Sequence, residues 1–146
     1  MFKMLAAGAA AAMLAGCALG VDDGGRRNFE EAFQAPVGAQ EALARAQAQM
    51  QQCLRGGNDN AVRVLPEQPG GGGRVEVFAP MTNRVLARTE IGEAGAGRAQ
   101  VRITMLNVGL YDADSAAALR ESIEFGVPTC RSYMPRVPAD KQAGAR

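Results

Sequence analysis

From Ala39 to Leu54, apolar positions recur at 39, 43, 46, 50 and 53/54. Steps of three and four predict a helix with one narrow buried stripe. The segment is rich in alanine, glutamine, glutamate, leucine and methionine, all strong helix formers, and Gly56-Gly57 supplies a stop. The period then changes. After a turn at Asn58-Asp59-Asn60, Val62 and Val64 alternate with Arg63. Residues 66–73 read as a loop whose four glycines hold no fixed shape, and Arg74-Val75-Glu76-Val77-Phe78 alternates again. Pro80 to Asn83 suits a turn, Arg84 to Glu90 a strand, and Gly92 to Gly97 a hairpin loop. Arg98 to Leu106 is the clearest strand, with Val101, Ile103 and Met105 on one face. Short connections make these neighbours antiparallel. A second helix is expected over 113–125, with Ala116, Leu119 and Ile123 buried. Asp112 or Asp114 caps its start, and Gly126 and Pro128 end it. Residues 129–134 predict a last strand.

The order helix, four strands, helix, strand predicts an α+β fold. It is a two-layer sandwich, an antiparallel sheet of about four or five strands with two helices on one face. This small domain spans 39–137, and 138–146 is a polar tail. Residues 17–38 read as a flexible tether. Gly20, Gly24, Gly25, Pro36 and Gly38 break any period, and Asp22, Asp23, Arg26, Arg27, Glu30 and Glu31 are solvated. Phe29 and Phe33, four apart, suit a short amphipathic turn. The alternative for this stretch is a segment that docks back onto the domain or a partner. No internal repeat is visible.

The first residues are of another kind. Lys3 is the only charge before Asp22, and an apolar run from Met4 to Leu14 leads into Leu14-Ala15-Gly16-Cys17. The run is too short to span a bilayer, which needs roughly 20 apolar residues. Leu14-Ala15-Gly16-Cys17 resembles the lipobox of bacterial lipoprotein precursors. The resemblance implies that residues 1–16 are a signal peptide cut between Gly16 and Cys17. It implies also that Cys17 carries a diacylglyceryl thioether, and that the chain sits in the cell envelope by this lipid anchor. Ala18 and Leu19 follow Cys17, with no aspartate; in the enterobacterial sorting pattern the resemblance then implies the periplasmic side of the outer membrane. An ordinary secretory leader cut at a small-residue site is the alternative. Two acyl chains anchor a protein stably, at about 0.8 kcal/mol per buried CH₂.

Composition narrows the chemistry. Removing residues 1–16 takes one lysine from 16 basic residues and leaves 15 acidic ones unchanged, so the mature side chains sum to zero. A neutral chain gives no electrostatic case for nucleic acid or bulk anionic membrane. With Cys17 assigned to lipid, Cys53 and Cys130 remain. In an oxidising compartment that pair reads as a disulfide, the alternative being two buried free thiols. It would close a loop of about 77 residues and contribute roughly 4 kcal/mol in the chain-entropy picture. There is no histidine, which removes Ser-His-Asp and Cys-His catalysis and most zinc enzymes. Gly70 to Gly73 lacks the Gly-Lys-Ser/Thr of a phosphate loop. Asp112-Ala113-Asp114-Ser115 starts like a calcium loop but lacks the rest. Glu121 and Glu124 are more simply the wet face of a helix than a glycosidase pair. No cofactor or metal is expected.

Strand parity leaves one less neutral feature. If Val62, Val64, Val75, Val77, Val85, Ala87, Val101, Ile103 and Met105 face the helices, the other face carries Arg63, Arg74, Glu76, Arg84, Arg88, Glu90, Arg98 and Arg102. Six arginines against two glutamates would leave an excess of about four positive charges, suited to carboxylate or phosphate. Cross-strand ion pairing on a solvated face is the plainer reading. The expectation is a non-enzymatic lipoprotein presenting a stapled domain to an envelope protein, cell-wall polymer or anionic headgroup. Its rival is a carrier or binding module for a small envelope ligand between sheet and helices, which a roomy apolar pocket would favour and a filled core would count against. An enzyme would require acids and Tyr111, Tyr133 or Arg131 to converge in one cleft.

Overall fold

The computed structural model describes residues 28–57, 59–67 and 71–131. The elements run β1 (Phe29–Ala35), α1 (Ala39–Gln49), a π-helical turn (Met50–Leu54), β2 (Ala61–Pro66), β3 (Gly73–Ala79), β4 (Arg84–Glu93), β5 (Ala99–Met105) and α2 (Ala113–Phe125). The five strands form one antiparallel sheet in the order β1-β5-β4-β3-β2. Both helices cover one face: α1 lies over β3, β4 and β5, and α2 over β1 and β5. The two-layer α+β architecture is as the alternation predicts. Among the described residues no helix is long and apolar enough to cross a membrane.

The fifth strand comes from the other end of the chain than expected. Phe29–Ala35, read as part of a flexible tether, is the edge strand β1 and pairs with β5 from Phe29↔Met105 to Ala35↔Ala99. Residues 29, 31, 33 and 35 point to the helices, and Phe33 and Ala35 are buried. Glu31 on that face is met by Arg120 of α2 at 2.7 Å, and Arg120 also lies over the Phe33 ring at 4.9 Å. The helix α1 then carries the chain across the sheet from the β1 edge to the β2 edge.

The strand expected at 129–134 is absent over 129–131, and the rest lies outside the described residues. The physical reason is Gln49. Its amide is buried and donates to the Thr129 carbonyl at 3.0 Å while accepting from the Thr129 N–H at 2.9 Å. A side chain has taken the place of a neighbouring strand. Gly72 and Gly73 correct the reading of a shapeless loop: both are buried, and a Cβ on Gly73 would lie 2.5 Å from the Leu65 carbonyl oxygen. Only glycine fits there, because φ is +157° and two backbones pack in contact.

Small residues let the layers approach. Ala39, Ala42 and Ala46 of α1 and Ala116 and Ala118 of α2 are fully buried. The stripe on α1 runs through Ala42 and Gln49, leaving Leu43 half-buried. Met50, Leu54, Ile103, Met105, Leu119 and Ile123 fill the centre, each contributing roughly 1.5–3 kcal/mol by burial. The helix ends are finished from elsewhere in the fold. Glu93 of β4 accepts from the Ala39 N–H at 3.1 Å, satisfying one orphan donor of α1. Asp112, of the two aspartates offered, caps α2 by accepting from the Ser115 N–H at 2.9 Å. Arg45 donates to the Ile123 and Glu124 carbonyls, which close the other end of α2. Cys53 in the π-helical turn is disulfide-bonded to Cys130, with Cα atoms 5.1 Å apart.

Candidate functional site

Two surfaces deserve comparison: the open face of the sheet, and a cleft at one end of the sandwich.

On the open face the register sets the charges in rows. One row runs Arg63, Glu76, Arg88, Thr104 and Glu30 across all five strands. The next holds Leu65, Arg74, Glu90, Arg102 and Ala32. Glu76 is only 1% exposed although no helix covers it. It is covered by its neighbours: Arg63 donates to Oε2 at 2.7 Å and Arg88 to Oε1 at 2.8 Å. Arg63 also stacks on the Phe78 ring at 4.7 Å. Burial raises the Glu76 pKa, but the two guanidinium hydrogen bonds and their charges outweigh it and hold the carboxyl below its ordinary value.

Of the six expected arginines, four stand on this face. A bulge between Val77 and Phe78 inserts an extra β4 residue, so Val85 pairs with Phe78 and Arg84 with Ala79. That shift puts Val85 on the open face and takes Arg84 off it. Arg98 is exposed in the β4–β5 hairpin, where its backbone closes the turn with Ala94 and Gly95. The strand β1 meanwhile adds Glu30. Four arginines therefore meet three glutamates, and the expected excess of about four charges shrinks to one. Arg63 and Arg88 are committed to Glu76. Arg74 and Arg102 flank Glu90 and make no side-chain hydrogen bond or ion pair among the described residues.

The cleft lies between the end of the sheet and the turns that join it to the helices. Its volume is about 620 Å³, within the range of roughly 300–1,000 Å³ of small-molecule sites. Ala79, Leu86, Leu106, Val108 and Leu110 supply apolar walls, Met81 of the β3–β4 turn adds to the lining, and among the described residues no charged side chain lines it. Leu86 is the residue that the β4 bulge adds. Two polar side chains lie in the lining, Asn60 and Tyr111. Asn60 Nδ2 donates to Tyr111 Oη at 2.9 Å, and Tyr111 Oη donates to the Leu54 carbonyl at 2.9 Å. The Asn60 backbone carbonyl accepts from Arg55 Nε at 2.9 Å. Burial pushes the Tyr111 phenol up to about 12, against a smaller downward effect of the Asn60 hydrogen bond. Tyr111 is a buried donor that stays protonated at neutral pH. A short turn, closed by paired Val108 and Tyr111 backbone bonds, brings Leu110 and Tyr111 to the cleft.

The sequence signals for this site are faint: Tyr111 is offered only as one possible member of an enzyme cleft, and Asn60 only as a turn residue. Arg131 follows the far end of α2 from Tyr111 and pairs with Glu121 at 3.7 Å, so the two do not share a cleft. Glu124 pairs with Arg120 at 3.0 Å. Tyr133, Gly16 and Cys17 lie outside the described residues. Among the described residues no three cysteine, aspartate or glutamate side chains cluster as metal ligands. No protein-family model, curated protein or solved structure matches the chain.

Proposed function

We propose that this chain is a cell-envelope lipoprotein, anchored through acylated Cys17, whose disulfide-stapled domain is a non-enzymatic binding module for a small apolar ligand. The observation that carries the ligand reading is the uncharged apolar cleft of about 620 Å³ with Asn60 and Tyr111 in its lining. The anchor reading rests on Lys3, the apolar run and Leu14-Ala15-Gly16-Cys17. An outer-membrane, periplasm-facing position follows from the residues after Cys17.

The open face supports a second, weaker role. Arg74 and Arg102 remain to contact an acidic group on an envelope partner or cell-wall polymer, but Glu90 stands between them.

Two measurements test the proposal. Mass spectrometry of the protein extracted from its own membrane gives the mature N-terminus, the acyl mass on Cys17 and the state of Cys53 and Cys130. A leader still attached and a bare Cys17 thiol would refute the anchor. Titration of the domain with Nile red, an uncharged apolar dye, tests the cleft. Saturable fluorescence gain that Ala79→Trp abolishes supports ligand binding, and no gain refutes it.

A further inference from the structure

We infer that the cleft takes one acyl chain of a lipid in the membrane that holds the protein, with an uncharged hydroxyl of the lipid headgroup meeting Asn60. This rests on the anchored, ligand-binding reading above and adds the class and source of the ligand.

The first argument is placement. Phe29 pairs with Met105, and Leu106, the next residue, lines the cleft. The chain coming from Cys17 therefore joins the sheet at the end where the cleft lies. Between Cys17 and Asn28 there are eleven residue steps, which span at most roughly 40 Å when fully extended. The anchor thus keeps that end of the domain within one tether length of the bilayer. A binding site so close meets membrane lipid at a high local concentration.

The second argument is chemistry. Among the described residues the lining is apolar on most sides and holds no charge, which suits a hydrocarbon chain and disfavours an ionised small molecule. The polar groups are placed for a lipid too. Asn60 gives its Nδ2 to Tyr111, and its Oδ1 accepts no hydrogen bond among the described residues. An amide oxygen in an apolar lining suits an uncharged donor, such as a headgroup hydroxyl of phosphatidylglycerol. The chain's own Cys17 acyl groups are the competing occupant. They gain burial in the bilayer with every CH₂, and a single cleft of this volume does not hold them all.

The test uses the acylated, full mature chain in vesicles of phosphatidylethanolamine and phosphatidylglycerol. A small fraction of the lipid carries a diazirine on one acyl chain. After irradiation, crosslinks are mapped by peptide mass spectrometry. Crosslinks concentrated on residues 79–86 and 106–110 are expected. Ala79→Trp and, separately, Val108→Asp should each reduce them at least five-fold, in variants whose thermal melts show a folded domain. Crosslinks that avoid the cleft, or that neither folded variant reduces, overturn the inference. The unacylated Cys17→Ser chain is run in parallel with the same vesicles. Cleft crosslinks in that chain but not in the acylated one show the protein's own lipid in the cleft and overturn the assigned source. If Nile red binds and is blocked by Ala79→Trp while lipid fails to crosslink, the ligand-binding reading stands and the acyl inference falls. If neither binds, both fall.

Discussion

Replacing Glu76 by glutamine isolates the least ordinary contact on the sheet. In the native domain each carboxylate oxygen accepts from a different guanidinium, at 2.7 and 2.8 Å. A net charge-assisted hydrogen bond contributes about 1.5–3 kcal/mol. Glutamine keeps one acceptor and turns its amide donors toward the other arginine, so one bond is lost and one weakened. Relief of the buried charge offsets part of this. Arg63 and Arg88 also keep some solvent access, with side chains 36% and 17% exposed, and can turn outward. The expected loss is therefore at the lower end, roughly 2–3 kcal/mol at neutral pH. In a domain of this size that is a fall in Tm on the order of 10 °C. The pH dependence makes the test specific. The folded pKa of Glu76 lies below its ordinary 4.5, so its stabilisation is complete above that value and is lost as pH falls through the folded pKa. Glu76→Gln cannot titrate there. Urea melts of both proteins should show a constant gap from neutral pH down to about 4.5, narrowing in stronger acid. Equal stability at neutral pH, or a gap that persists undiminished in acid, would refute the clamp.

Three further outcomes follow from the same structure. Replacing Cys53 and Cys130 together by alanine opens a loop with 77 residues of separation, and urea melts should show a loss of about 4.5 kcal/mol; a loss below 1 would mean the bridge adds little. Tyr111→Phe strands Asn60 Nδ2 and the Leu54 carbonyl in a buried site, and thermal melts should record a loss of about 1–3 kcal/mol with the sheet intact; an unchanged Tm would show the phenol is idle. Deleting residues 28–35 removes β1, bares the edge of β5 and uncovers the ground under Phe33. That chain should lose cooperative unfolding and aggregate on size-exclusion chromatography, whereas a chain that melts like the full one would restore the tether reading.

How far the sequence could be read depended on where each residue finds its partner. The strands β3 and β5 alternate cleanly because their own inward residues, Val75, Val77, Val101, Ile103 and Met105, are all apolar, and α2 ends at 125 because Gly126 is beside it in sequence. The strand β1 hides its alternation. Its inward set is Phe29, Glu31, Phe33 and Ala35, and the glutamate is accommodated only by Arg120, 89 positions away. Gln49 reads as a polar surface residue of α1 until Thr129, 80 positions on, claims both ends of its amide. The bulge in β4 has no mark in Arg84-Val85-Leu86-Ala87, yet it decides which arginines share a face. Parity counts along a single strand therefore overstated the charge of the open face, and a strand absent from the count supplied Glu30.

The cleft depends on the same long-range contacts, and this ties the staple to the site. Cys53 and Leu54 are adjacent in the π-helical turn. One is held covalently to Cys130, and the other accepts the Tyr111 hydroxyl. The turn leads directly into Gly56, Gly57 and Asn60, which form one wall of the cleft. That wall has no strand of its own, and its backbone is fixed at two neighbouring residues instead. The π turn ends α1 beside this wall rather than continuing the α-helix. The opposite wall, Ala79 to Met81 and Leu86, is carried by β3, β4 and the bulge between them. A rigid sheet thus provides one side of the cleft and a pinned turn provides the other. The disulfide holds the turn of the second side to the segment that follows α2.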